Sequence, residues 1–237
     1  KDTYASKVVT EIYRFEESDV FGSMEETPWY LNRNKVKTVS FRDKVSPQST
    51  AFWFGGMEYL TQINLDKLDT RNTTDMQGMF GLCKGLKTVN LSSLDTSNVT
   101  DMNAMFYKCS NLTSLDLSHF KTDKVTDMNS MFTNCSGLTS LNISGLNTSS
   151  VTNMQYMFHG CSGLKSLQVD NFDTSNVTNM KYMFYGCEAL TSLNVSGFDT
   201  SKVTDMRGML CNLRNVKTFD VSHWDTSNVE IMEGLFR

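Results

Sequence analysis

A single period of 26 residues governs most of this chain and constrains its fold more than any other feature. From Leu68 the sequence reads LDTRNTTDMQGMFGLCKGLKTVNLSS, then restarts at Leu94, Phe120, Leu146, Phe172, Phe198 and Trp224 without insertion. Six units are complete, and a seventh begins at Trp224 and stops at Phe236–Arg237, inside its pattern, so further repeats or another cap are expected in the intact protein. Upstream, FWFGGMEYLTQINLDK (52–67) fits the second half of one more unit. Val36–Phe41 resembles the LKTVNL of the Val89 unit, with a spacing of 24. Residues 1–35 fit no unit; their alternating Lys7–Phe15 stretch predicts an N-terminal cap over the first repeat.

Two hydrophobic periods alternate within each unit. Leu112, Leu115 and Leu117 form LxxLxL, whose last two apolar positions lie two apart, as on a strand with one buried face. Met102, Met105, Phe106 and Cys109 fall at i, i+3, i+4 and i+7, one face of a helix. Thr100 is placed to cap it, with Asp101 in its first turn. A unit this short cannot bury its own apolar face, so neighbours must bury it. The expected fold class is therefore an α/β repeat: a right-handed solenoid over 36–237, with a parallel sheet on one side and short helical segments on the other.

LxxLxL in units of this length is the leucine-rich-repeat pattern. The form at Phe172–Gly197, FDTSNVTNMKYMFYGCEALTSLNVSG, resembles the BspA-like leucine-rich repeats of bacterial surface proteins, the DUF285 or surface-protein 26-residue-repeat family. The resemblance covers residues 36–237. It implies a secreted or wall-attached bacterial protein that contacts host or neighbouring-cell surfaces.

The invariant columns are read as structural. Cys83, Cys109, Cys135, Cys161 and Cys187 share one register, while Cys211 is displaced by two and Leu213 takes the slot. Parallel side-chain vectors make bridges between stacked units geometrically poor, so a reduced, buried ladder is expected. The Met columns account for most of the 15 methionines and are read as core. Thr70, Thr96, Thr122, Thr148, Thr174, Thr200 and Thr226 recur in every unit, which suits a hydrogen-bonding ladder closing buried backbone groups.

A net charge of −4 argues against nucleic-acid or anionic-membrane binding, and no apolar run reaches the roughly 18 residues of a membrane span. His119, His159 and His223 lie far apart, no CxxC pair exists, and no GxSxG, HExxH or GxxxxGK[ST] motif occurs. No catalytic constellation, metal or cofactor is therefore expected.

Two surfaces remain as binding candidates. Down the predicted sheet runs a polar column, Asn90, Asp116, Asn142, Gln168, Asn194 and Asp220, flanked by Ser and Thr. It suits a polar, glycan or basic ligand; a hydrated face that binds nothing explains it as well. On the helical side, Tyr156 with His159 and Tyr182 with Tyr185 form i, i+3 pairs in adjacent units, where other units carry Ala104, Ser130 and Gly208. Exposed rings there would anchor a partner or stack on sugars; lateral packing between units is the plainer explanation. The functional expectation is a non-enzymatic adhesion module, secreted or attached to the bacterial wall, that binds a host matrix protein, mucin or glycan. The alternative is a spacer or weakly self-associating module that holds another domain away from the wall.

Overall fold

A computed structural model of the chain describes residues 3–4, 12–13 and 30–237. Regular structure among them is sparse. Strands β1 (Thr3–Tyr4) and β2 (Ile12–Tyr13) pair antiparallel. A 3-10 turn spans Tyr30–Lys35. Strands β3 (Thr38–Ser40) and β4 (Gln62–Asn64) pair in parallel, as do β5 (Ser114–Asp116) and β6 (Ser140–Asn142). The rest of the cap assigned to 1–35 lies outside the described residues.

This overturns the expected α/β leucine-rich-repeat solenoid. No continuous parallel sheet and no α-helix occur among the described residues; the repeats are almost entirely turns and irregular chain. Two local causes stand out.

The first concerns the strands. Asp116 Oδ1 accepts from the Ser118 N–H at 3.0 Å, Asn142 Oδ1 from Ser144 at 3.2 Å and Asp220 Oδ1 from Ser222 at 3.1 Å. Such Asx turns compete with sheet pairing, and β5 and β6 each end at their Asx residue after three residues.

The second concerns the helices. The Met/Phe segment of each unit has two residues at positive φ, four apart: Ala104 (54°) and Lys108 (55°), Ser130 (57°) and Asn134 (57°), Gly208 (56°) and Asn212 (57°). A right-handed helix cannot run through these positions. Its alternate N–H groups also point elsewhere. Met105 N–H donates to Met102 O at 3.3 Å and Cys109 N–H to Phe106 O at 3.1 Å, each closing a local turn. By contrast Met102 N–H donates to Asp127 O (3.1 Å), Ala104 to Asn129 (2.8 Å), Phe106 to Met131 (2.9 Å) and Lys108 to Thr133 (2.7 Å), all in the next unit. Half the donors a helix needs are thus spent on the neighbour, which is how turns can satisfy a buried backbone. Apolar spacing of i, i+3, i+4, i+7 is shared by a helix and by this run of overlapping turns.

Neighbouring units meet in register. Single-residue parallel bridges link Asp75 to Asp101, Asp127, Asn153, Asn179, Asp205 and Ile231 in succession. Inside, Phe54, Phe80, Phe106, Phe132, Phe158 and Phe184 stack with ring centroids 5.4–5.9 Å apart. The Met and Cys columns line the same core. All six cysteines are free and buried. Cys109 Sγ–H donates to Phe80 O at 3.0 Å and Cys135 Sγ–H to Phe106 O at 3.0 Å. Burial pushes the Cys109 thiol up to about 12, so it stays protonated at neutral pH.

The threonine column is tied in the same way. Thr96 Oγ1 donates to Lys121 O at 3.0 Å and accepts from Lys121 N–H at 2.8 Å; Thr122 donates to Asn147 O at 2.8 Å and Thr148 to Asp173 O at 2.9 Å. One hydroxyl therefore joins each corner of a unit to the next.

Candidate functional site

The polar column is fully at the surface. Asp116, Asn142, Gln168, Asn194 and Asp220 are all exposed. Asp116 and Asn142 sit opposite each other in the β5–β6 pair, whereas Gln168, Asn194 and Asp220 lie outside any strand. Their polar atoms are largely engaged locally. Asn142 Oδ1 accepts from Ser144 Oγ at 2.9 Å and Asp220 Oδ1 from Ser222 Oγ at 2.6 Å, while Asn194 Nδ2 donates to Asp170. The Ser118 N–H and hydroxyl hold the Asp116 carboxyl below its usual value, and Ser222 does the same for Asp220. These carboxylates stay ionised, but each is already serving a turn.

The aromatic residues are arranged differently. Tyr156 (φ 58°) and Tyr182 (φ 52°) occupy the first positive-φ position of their units, the column that holds Phe52, Gly78, Ala104, Ser130 and Gly208 elsewhere. A left-handed backbone costs an ordinary residue about 1–2 kcal/mol, so a tyrosine here needs compensation, and ring stacking provides it. The Tyr156 and Tyr182 rings stack at 5.4 Å, and the His159 and Tyr185 rings stack at 5.0 Å with 9° between their planes. Within each unit the pairs meet edge-to-face, Tyr156–His159 at 5.5 Å and Tyr182–Tyr185 at 5.4 Å. Lys181 Nζ lies 5.8 Å from the Tyr156 ring centre and 5.6 Å from that of Tyr182, within cation–π range. All four rings are half-buried. The expectation of outward rings on helices is thus corrected to two short stacks seated on turns.

His159 Nδ1 is buried without a hydrogen-bond partner. Burial lowers the His159 pKa, which keeps the ring neutral near pH 7. A neutral imidazole stacked on Tyr185 is a flat, weakly polar surface.

Both stacks end at the next unit. The column of Tyr156 and Tyr182 continues to Gly208, and that of His159 and Tyr185 continues to the displaced Cys211. A cleft of about 250 Å³ opens there, lined by Tyr182, Tyr185, Gly208, Asn212, Glu233 and Arg237 among others. Beside it, Arg207 Nε is buried without a hydrogen-bond partner, 3.9 Å from Glu233 Oε2. Reading the sequence picked out the four rings but not Gly208, Asn212, Glu233 or Arg237. The break at Gly208 and the shifted Cys211 were the available signals. Among the described residues no cluster of His, Cys, Asp or Glu could hold a metal ion, and no helix is long and apolar enough to cross a membrane.

A family model described as "Mycoplasma protein of unknown function, DUF285" matches residues 48–168 and 154–237. No curated protein and no solved structure matches the chain.

Proposed function

The chain belongs to the DUF285 family, and we propose that it is a non-enzymatic interaction module at a bacterial cell surface, akin to the BspA-like surface proteins its repeat resembles. Its partner is a host matrix protein, a mucin or a glycan. The observation that carries this reading is the aromatic group of Tyr156, His159, Tyr182 and Tyr185. Tyr156 and Tyr182 sit at a positive-φ position held by Gly78, Ala104, Ser130 and Gly208 in other units, with Phe52 the other ring in that column, and His159 and Tyr185 stack in the column beside them. A packing column has no need of them, because Ala104 and Gly208 hold the same conformation without a ring. Half-buried tyrosines are rigid and amphipathic, the kind of residue that anchors interfaces. The polar column carries less weight, since its carboxylates and amides are already hydrogen-bonded to adjacent serines.

The test is binding of the purified chain to a panel of matrix proteins, mucins and glycans. Tyr156→Ala with Tyr182→Ala should abolish the signal while leaving the protein folded, since Ala104 already occupies that backbone at φ 54°. Asp116→Lys with Asp220→Lys should leave it intact. Loss of binding only in the Asp pair would move the site to the polar column. Silence of the folded wild type across the panel would favour the spacer reading, which the near-identity of the units supports.

A further inference from the structure

We infer that the cleft beside Tyr182 and Tyr185 is a sugar-ring site, with a pyranose packing against the two rings that end the aromatic stacks; this rests on the interaction-module reading and specifies its ligand class. Tyr156, Tyr182 and Gly208 share one column and one backbone conformation, at φ 58°, 52° and 56°. The Tyr156 ring stacks on that of Tyr182. The Tyr182 ring in turn leans over Gly208: a Cβ built there would fall 2.3 Å from its Cε1 and 2.4 Å from its Cδ1. Gly208 and then Gly234 (φ 65°) bring no side chain of their own. The neighbouring column likewise replaces the ring of Tyr185 with the small thiol of Cys211. Two ring stacks therefore stop at the same unit; the Tyr182 ring covers Gly208 itself, and the cleft opens beside the terminal rings.

The chemistry of the walls narrows the occupant. Tyr182 and Tyr185 form the aromatic wall, and Asn212, Glu233 and Arg237 supply amide, carboxylate and guanidinium groups around it. An aromatic face bordered by donors and acceptors matches a pyranose, which presents C–H groups on its faces and hydroxyls at its edge. The volume of about 250 Å³ is just below the roughly 300–1,000 Å³ of pockets for drug-sized ligands. It suits one ring of a longer glycan, whose remainder would run out over the surface.

The test uses the full chain on a glycan array, followed by titration of the best oligosaccharide by saturation-transfer NMR. Gly208→Tyr, whose Cβ would displace the Tyr182 ring, should close the slot and remove glycan binding, with folding of the variant checked by circular dichroism. Tyr182→Ala should remove binding by deleting the wall. A glycan bound by the wild type and lost in both variants supports the site. A glycan bound equally by wild type and Gly208→Tyr overturns it. Binding of a deglycosylated matrix protein that survives Gly208→Tyr, with no glycan bound, overturns the sugar site while leaving the interaction module standing. Absence of every ligand from the folded protein overturns both.

Discussion

Replacing Thr96 by valine tests whether the repeated threonine ladder contributes to stability or merely recurs. Thr96 is 2% exposed, and its hydroxyl makes two bonds to the same residue, 3.0 Å to Lys121 O and 2.8 Å from Lys121 N–H. Valine keeps the shape and the β-branch but sets a methyl against both backbone groups. Each lost hydrogen bond is worth about 0.5–1.5 kcal/mol, rising to about 1–3 kcal/mol where the partner is left buried and unpaired. The expected loss is about 2–4 kcal/mol, a large share of the roughly 5–15 kcal/mol that keeps a domain folded. For a chain of this size each kcal/mol shifts the melting midpoint by about 2–4 °C, so a fall of about 5–15 °C is expected. Urea and thermal unfolding followed by circular dichroism would measure it. Thr100→Val is the matched control: its hydroxyl is exposed and makes a single 3.1 Å bond to Thr74 O. Thr96→Ser should recover most of the loss. Equal, small effects of Thr96→Val and Thr100→Val would refute the ladder as a source of stability.

Asp101 should be better replaced by asparagine. Burial raises its pKa, and the neighbouring Asp75 and Asp127 carboxylates raise it further. Asn153 and Asn179 hold equivalent positions and still accept their i+2 N–H, at 3.1 and 3.0 Å. A carboxyl with a raised folded-state pKa is destabilising when ionised and harmless when protonated. Asp101→Asn should therefore stabilise at pH 7, with the gain fading as pH falls towards the unfolded value of about 3.9; urea midpoints at pH 7 and pH 3.5 would show it, and a gain that grows in acid would contradict it. Gly145 and Gly197 occupy one column and should respond in opposite ways to alanine. A Cβ at Gly145 would fall 2.2 Å from Ser118 O, whereas one at Gly197 meets nothing within 4 Å. Gly145→Ala should lower the melting midpoint clearly, and Gly197→Ala should leave it unchanged or raise it by about 0.4–1 kcal/mol of stability; equal responses would sink the steric account.

Legibility differed by level. The columns were readable because a repeat shows each position several times over. Through the sixth unit, Cys109 and its equivalents, the Met and Phe positions and the threonine ladder are buried in the register their spacing indicates. The secondary structure was not readable. Met102, Met105, Phe106 and Cys109 have helical spacing, yet Ala104 and Lys108 sit at positive φ. Nothing in the Ala or Lys side chain demands that conformation. Their N–H groups take it up because carbonyls of the next unit lie within reach, at 2.8 and 2.7 Å.

The candidate site divides in the same way. Tyr156, His159, Tyr182 and Tyr185 stood out as departures from the repeat. That they form two stacks, and that both stacks stop above Gly208 and Cys211, follows only once units are laid side by side. By itself the sequence determined the period, the membership of the core and the residues that break the pattern, because these depend on side-chain chemistry repeated at one spacing. The tertiary structure alone decided the backbone path, the short strands and the cleft, because each is set by hydrogen bonds and contacts between residues about 26 positions apart.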